Sequence, residues 1–84
     1  MKAKKKLRKR LQPNKKFRKA LGNTILRLRK DEKMSQTQLA FEAGIGREQV
    51  GRIERGEQSP TADILEAIAS VFDVRLKDLL DFEY

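Results

Sequence analysis

A chain of 84 residues has room for one small domain with a single core. It holds no cysteine and no histidine, and 38% of it is charged; this argues against a disulfide framework, a thiolate metal site or an enclosed pocket with a positioned acid and base, so no enzyme, cofactor or metal is expected. The net charge of +8 is unevenly spread, with eleven Lys and Arg and no acid in residues 1–19, seven against six in 20–60, and two against six in 61–84, a polarity suited to a polyanion at one pole and to solvent or a partner at the other.

No apolar run approaches the roughly 20 residues of a membrane span, and the amino terminus lacks the apolar stretch of a signal peptide, so a soluble, cytoplasmic chain without membrane contact is expected. Residues 1–14 read as a basic arm, with seven Lys and Arg and no acid up to Gln12, which self-repulsion keeps extended until phosphate neutralises it. Residues 15–84 read as the folded domain. Asn14 is a cap for a first helix, whose apolar residues Phe17, Leu21, Ile25 and Leu28 recur every three or four positions. Asp31 to Met34 is its exit. Ser35 with Gln38 forms a capping box for a second helix, which ends at Gly44. A third runs from Arg47 to about Arg55, with Gly56 placed to end it. Thr61 caps a fourth with Ile64, Leu65, Ile68, Ala69 and Phe72 on one face, and a short fifth turns Leu76, Leu79 and Leu80 inward. No stretch alternates like a strand, so the fold class is all-α with five helices.

Residues 36–55 carry the pattern of a helix-turn-helix. The fourth, eighth, tenth, fifteenth and eighteenth positions are Leu39, Ala43, Ile45, Val50 and Ile53, all apolar, with Ala40 fifth and Gly44 ninth. Two helices crossing steeply bring their backbones together, so the crossing point takes no side chain larger than a methyl. Gly44 has no Cβ and can take the left-handed conformation that swings the chain into the next helix.

With Leu21-Gly22 and Ile25, Ser35-Gln36 and Leu39-Ala40, Ile53-Glu54-Arg55-Gly56, and Ile68-Ala69 before Val74, the chain resembles the Cro and repressor type of helix-turn-helix, the XRE family, over about residues 17–80. The resemblance implies a lambda-repressor-like fold whose third helix enters the major groove, with Arg47, Glu48, Gln49 and Arg52 facing base edges. The residues agree: burial of Val50 and Ile53 leaves Arg47, Glu48 and Arg52 outward, where an arginine fork matches guanine and Glu48 can accept from cytosine. The resemblance also implies a phosphate contact at Gln36 and an ion pair between Arg29 and Glu54 that fixes the angle of the reading helix. Thr37, Arg55, Gln58 and Ser59, with Lys4, Lys5, Lys6 and Arg8 of the arm, are further candidates for phosphate. Gly46 and Gly51 depart from the family pattern, and Gly51 costs about 1 kcal/mol inside a helix, so either local stability was given up or DNA approaches closely there.

The expected function is a sequence-specific regulator of transcription, a repressor, that binds double-stranded DNA as a homodimer on a palindromic operator and is nucleoid-associated through that binding. The alternative is an antitoxin-type protein that neutralises a partner protein through its acidic end and autoregulates its operon. A third reading, a general polyanion or RNA binder driven by the arm alone, predicts affinity without sequence preference. Leu76, Phe82 and Tyr84 are either a cap on the core or the contact for a second subunit.

Overall fold

The computed structural model describes residues 12–84, in which five helices and no strand occur. They are α1 (Lys15–Asp31), α2 (Gln36–Ala43), α3 (Arg47–Glu54), α4 (Ala62–Val71) and α5 (Leu76–Leu79). The arm candidates Lys4, Lys5, Lys6 and Arg8 lie outside the described residues. No helix of the described residues is long and apolar enough to cross a membrane.

Three helix starts follow directly from capping chemistry. The side chains of Asn14, Ser35 and Thr61 each accept from the backbone N–H three residues on, at 3.0, 3.0 and 3.2 Å, satisfying a donor that the helix itself leaves open. The expected capping box at α2 forms only by half, because the Gln38 side chain turns away from Ser35 and donates to Glu42 Oε2 at 3.2 Å, one turn further on.

The first four helices stop by one device. A residue with positive φ follows or forms the cap, Lys33 (56°), Gly44 (77°), Gly56 (76°) and Asp73 (56°), and the next residue's N–H returns five positions to a helical carbonyl, as Met34 to Arg29, Ile45 to Ala40, Glu57 to Arg52 and Val74 to Ala69. Gly44 takes this conformation without strain. Lys33 and Asp73 take it against the preference of a side chain, and are held there because Met34 and Val74 then pack on the core.

That core comprises Leu21, Ile25, Leu39, Ala40, Val50, Ile53, Ile68, Ala69, Phe72 and Leu79. The expected stripes supply it, with Phe17, Leu28, Ile64, Leu65, Leu76 and Leu80 half-buried at its edge. Helix α3 lies against both α1 and α2, while α4 packs on α2 and α5 closes on α1 and α4. Helix α3 is thus backed from two sides.

Candidate nucleic-acid interface

Eight residues make a weak helix in isolation, so α3 depends on what holds it. Val50 and Ile53 are each 1% exposed and fasten its inner side. Gly22 of α1 sits so close that an added Cβ would stand 2.5 Å from the Glu54 carbonyl oxygen and nearer still to that of Ile53. Only a residue without a side chain permits this approach, which sets the spacing between α1 and α3.

A buried ion pair then sets the angle. Arg29 Nε donates to Glu54 Oε2 at 2.7 Å and Nη2 to Oε1 at 3.1 Å, a two-pronged contact whose side chains are 10% and 4% exposed. Arg29 Nη1 also donates to the Met34 carbonyl at 2.8 Å, tying the end of α1 to the turn that leads into α2. The pair implied by the resemblance is present and almost fully enclosed.

The outward side of α3 carries Arg47, Glu48 and Arg52, all exposed, with Gln49 half-buried beside them. Arg47 Nη1 donates to Gln36 Oε1 at 3.2 Å, and Arg52 Nε to Gln58 Oε1 at 3.0 Å, with Glu48 4.0 Å from Arg52. Arg55, Glu57 and Gly51 complete a shallow hollow of about 280 Å³ with Arg47, Glu48 and Arg52 around it. Arg55 grips Glu57 at 2.9 and 3.2 Å; that hydrogen bond, with the charge behind it, holds the Glu57 carboxyl below its ordinary pKa and raises that of Arg55. The hollow is polar and open to solvent.

The candidate residues therefore converge. Gln36 and Thr37 open α2 alongside the start of α3, and Gln58 and Ser59 lie in the loop that follows it. The Gln36 side chain, expected at phosphate, has both amide atoms bonded within the protein, for its Nε2 donates to Glu54 Oε1 at 2.8 Å. Ser59 shares a second hollow with Gln12, Pro13, Asn14 and Arg18, so the root of the basic arm stands beside the α3–α4 loop. Two features escaped the sequence: the bridge from Glu54 through Gln36 to Arg47, and the exposure of Phe41, 85% open on α2.

At the far end, Phe17, Phe82 and Tyr84 form a trio with ring centroids 5.2–6.1 Å apart. Phe82 and Leu76 are half-buried against the core, whereas Tyr84 is 67% exposed. The aromatic end of the chain is thereby a lid on the start of α1.

Against known proteins, the family model described as Helix-turn-helix matches residues 25–79. The control protein C.BamHI of Bacillus amyloliquefaciens is 45% identical over 49 residues, which are 58% of this chain and 60% of that protein. The restriction-modification controller protein C.AhdI from Aeromonas hydrophila superposes with a TM-score of 0.69 at 30% identity, over 70% of this chain and 89% of its own. The biofilm master regulator SinR, solved in complex with DNA, superposes with a TM-score of 0.69 at 35% identity, over 73% and 98%. The chain spans about half the length of the curated relatives that it matches.

Proposed function

Because the chain belongs to the helix-turn-helix family of Cro and repressor type, we propose that it is a sequence-specific, double-stranded DNA-binding regulator of transcription, a repressor that works as a homodimer on a near-palindromic operator. One observation carries this reading: α3 is clamped on its inner side by Val50, Ile53 and the Arg29–Glu54 pair, while Arg47, Glu48 and Arg52 are exposed on the other. A rigid rod with forked donors on its open face is what a major groove accepts, and nothing in the described part of the chain covers that face. The family membership, and the solution of SinR with DNA bound, support the same reading.

Arg47 and Arg52 take guanine through its two acceptors, Glu48 accepts from cytosine, and Gln49 lies at the edge of the reading surface. Thr37, Arg55, Gln58 and Ser59 fix the register on the phosphate backbone, which carries no sequence information by itself. Lys4, Lys5, Lys6 and Arg8 add phosphate contacts through their charge alone. A second copy, joined through Tyr84 with Phe82 and Leu76, sets the partner α3 one helical turn away, about 34 Å along the duplex.

Selection of duplexes from a randomised pool by the full chain, at two salt concentrations, tests this. The expected product is a consensus with two-fold symmetry. Retention of duplexes without sequence preference refutes a reading helix and leaves a polyanion binder.

A further inference from the structure

We infer that Glu57 is an internal competitor for DNA phosphate, a carboxylate that occupies the Arg55 fork in the free protein and so trims the affinity for every duplex alike. This rests on the assignment of Arg55 to the phosphate backbone in the proposed function. The hollow over Gly51 is lined by three arginines, Arg47, Arg52 and Arg55, and by two acids, Glu48 and Glu57. Glu48 has a task there, as acceptor from cytosine. Glu57 has none, and an acid on a face that meets a polyanion opposes the contact by charge repulsion.

Its geometry is that of a stand-in for phosphate. Arg55 Nε donates to Glu57 Oε2 at 2.9 Å and Nη2 to Oε1 at 3.2 Å, using the forked edge of a guanidinium that also fits two phosphate oxygens. A phosphate that takes this edge has to displace the carboxylate. The third nitrogen, Nη1, lies against α3, 3.1 Å from where a Cβ on Gly51 would stand. A phosphate that approaches Nη1 instead still meets the carboxylate well inside the roughly 8–10 Å over which salt screens a charge.

The fold fixes where this carboxylate starts. Gly56, at φ 76°, turns the chain, and the Glu57 N–H then returns to the Arg52 carbonyl at 2.8 Å. Gly56 itself presses on α1, since a Cβ there would stand 3.1 Å from Lys19 Cα. The hydrogen bond from Arg55, with the charges of Arg55, Arg52 and Lys19, holds the Glu57 carboxyl below its ordinary pKa, so it is ionised when DNA arrives. The two side chains are 58% and 54% exposed, so the pair adds little to folding and can open. What it changes is binding. Phosphate contacts are common to all sequences, so trimming one lowers retention on unrelated DNA and leaves base readout intact.

The test compares wild type, Glu57→Gln, Arg55→Ala and the double variant, each a full chain with its unfolding midpoint recorded, on the selected consensus duplex and an unrelated duplex at several salt concentrations. Glu57→Gln should bind both duplexes about two- to fivefold more tightly at moderate salt, the worth of an exposed ion pair. It should also steepen the plot of log affinity against log salt by about 0.9, one further phosphate neutralised. Preference between the duplexes should not change. Arg55→Ala should cost little in the wild type and more in the Glu57→Gln background, where the fork is uncontested. Unchanged binding by Glu57→Gln overturns the inference, and so does weaker binding, which would make Glu57 the residue that aims Arg55 at phosphate. Equal losses from Arg55→Ala in both backgrounds also overturn it, since Arg55 is then at phosphate and the carboxylate acts by repulsion alone. If Arg55→Ala weakens neither background, the assignment of Arg55 in the proposed function fails, and the inference with it.

Discussion

Replacing Glu54 with alanine should be among the most damaging single changes outside the apolar core. Its carboxylate is 4% exposed and faces Arg29 at 2.7 and 3.1 Å. Without it the guanidinium keeps only the Met34 carbonyl, at 2.8 Å, and remains a charge about nine-tenths removed from water. A stranded charge of this kind costs about 3–5 kcal/mol, a large share of the roughly 5–15 kcal/mol that holds a small domain together. At about 4 °C or more per kcal/mol for a chain of this size, the unfolding midpoint should fall by at least about 12 °C. Thermal and urea unfolding followed by circular dichroism measure this. Converting both partners to apolar residues, Arg29→Met with Glu54→Leu, should recover most of the loss, since the buried charges then vanish together. A cost below about 1 kcal/mol for Glu54→Ala would place the pair with exposed salt bridges and refute the enclosure argument. A double variant no more stable than Glu54→Ala would refute the claim that a stranded charge is the cause.

Two glycines of the same fold should respond in opposite directions to the same substitution. Gly22→Ala drives a methyl against the backbone carbonyls of Ile53 and Glu54, neither of which can yield without moving α3, so it should cost about 1–3 kcal/mol despite the better helix propensity of alanine. Gly51→Ala meets the movable end of the exposed Arg55 side chain at 3.1 Å and makes an ordinary contact with Gln36 Oε1 at 3.8 Å, so it should add up to about 1 kcal/mol, read as a higher urea midpoint. Arg47→Ala should relax the selected consensus at one base position by about 1–3 kcal/mol while leaving non-specific affinity almost unchanged, as a panel of single-base variants will show. Removing residues 1–12 should flatten the plot of log affinity against log salt by about 0.9 for every phosphate the arm neutralises. An unaltered slope would mean that the arm does not touch DNA.

What the sequence disclosed was what acts within one or two helical turns. Asn14, Ser35 and Thr61 bond three residues ahead, and Gly44 turns the chain at a single φ, so caps, stops and buried stripes could be read from local spacing. Even here a competing partner can intervene, as Gln38 shows by choosing Glu42 over the amide behind it. Lys33 and Asp73 lie beyond that local reading, because nothing in a lysine or an aspartate announces positive φ. They adopt it when the apolar residue that follows gains more by burial than the left-handed turn costs.

Contacts across the fold were accessible only where a family pattern had already paired them. Arg29 and Glu54 stand 25 positions apart, and no periodicity connects them. Gln36 and Glu54 are 18 apart, Phe17 and Phe82 lie at opposite ends of the described chain, and neither pairing could be drawn from spacing. The Phe82 and Tyr84 rings close over Phe17 because an amphipathic α1 that starts at Lys15 leaves the apolar face of its first turn uncovered until the chain end returns. That packing bears directly on the dimer. Phe82 and Leu76 are already half-buried within the protomer, so of these three Tyr84, at 67% exposure, has the most surface left to offer a second copy. Tyr84→Ala should therefore weaken self-association more than Leu76→Ala at equal loss of fold stability, a comparison that sedimentation equilibrium makes directly. The opposite order would move the contact away from the chain end and onto the α4–α5 surface.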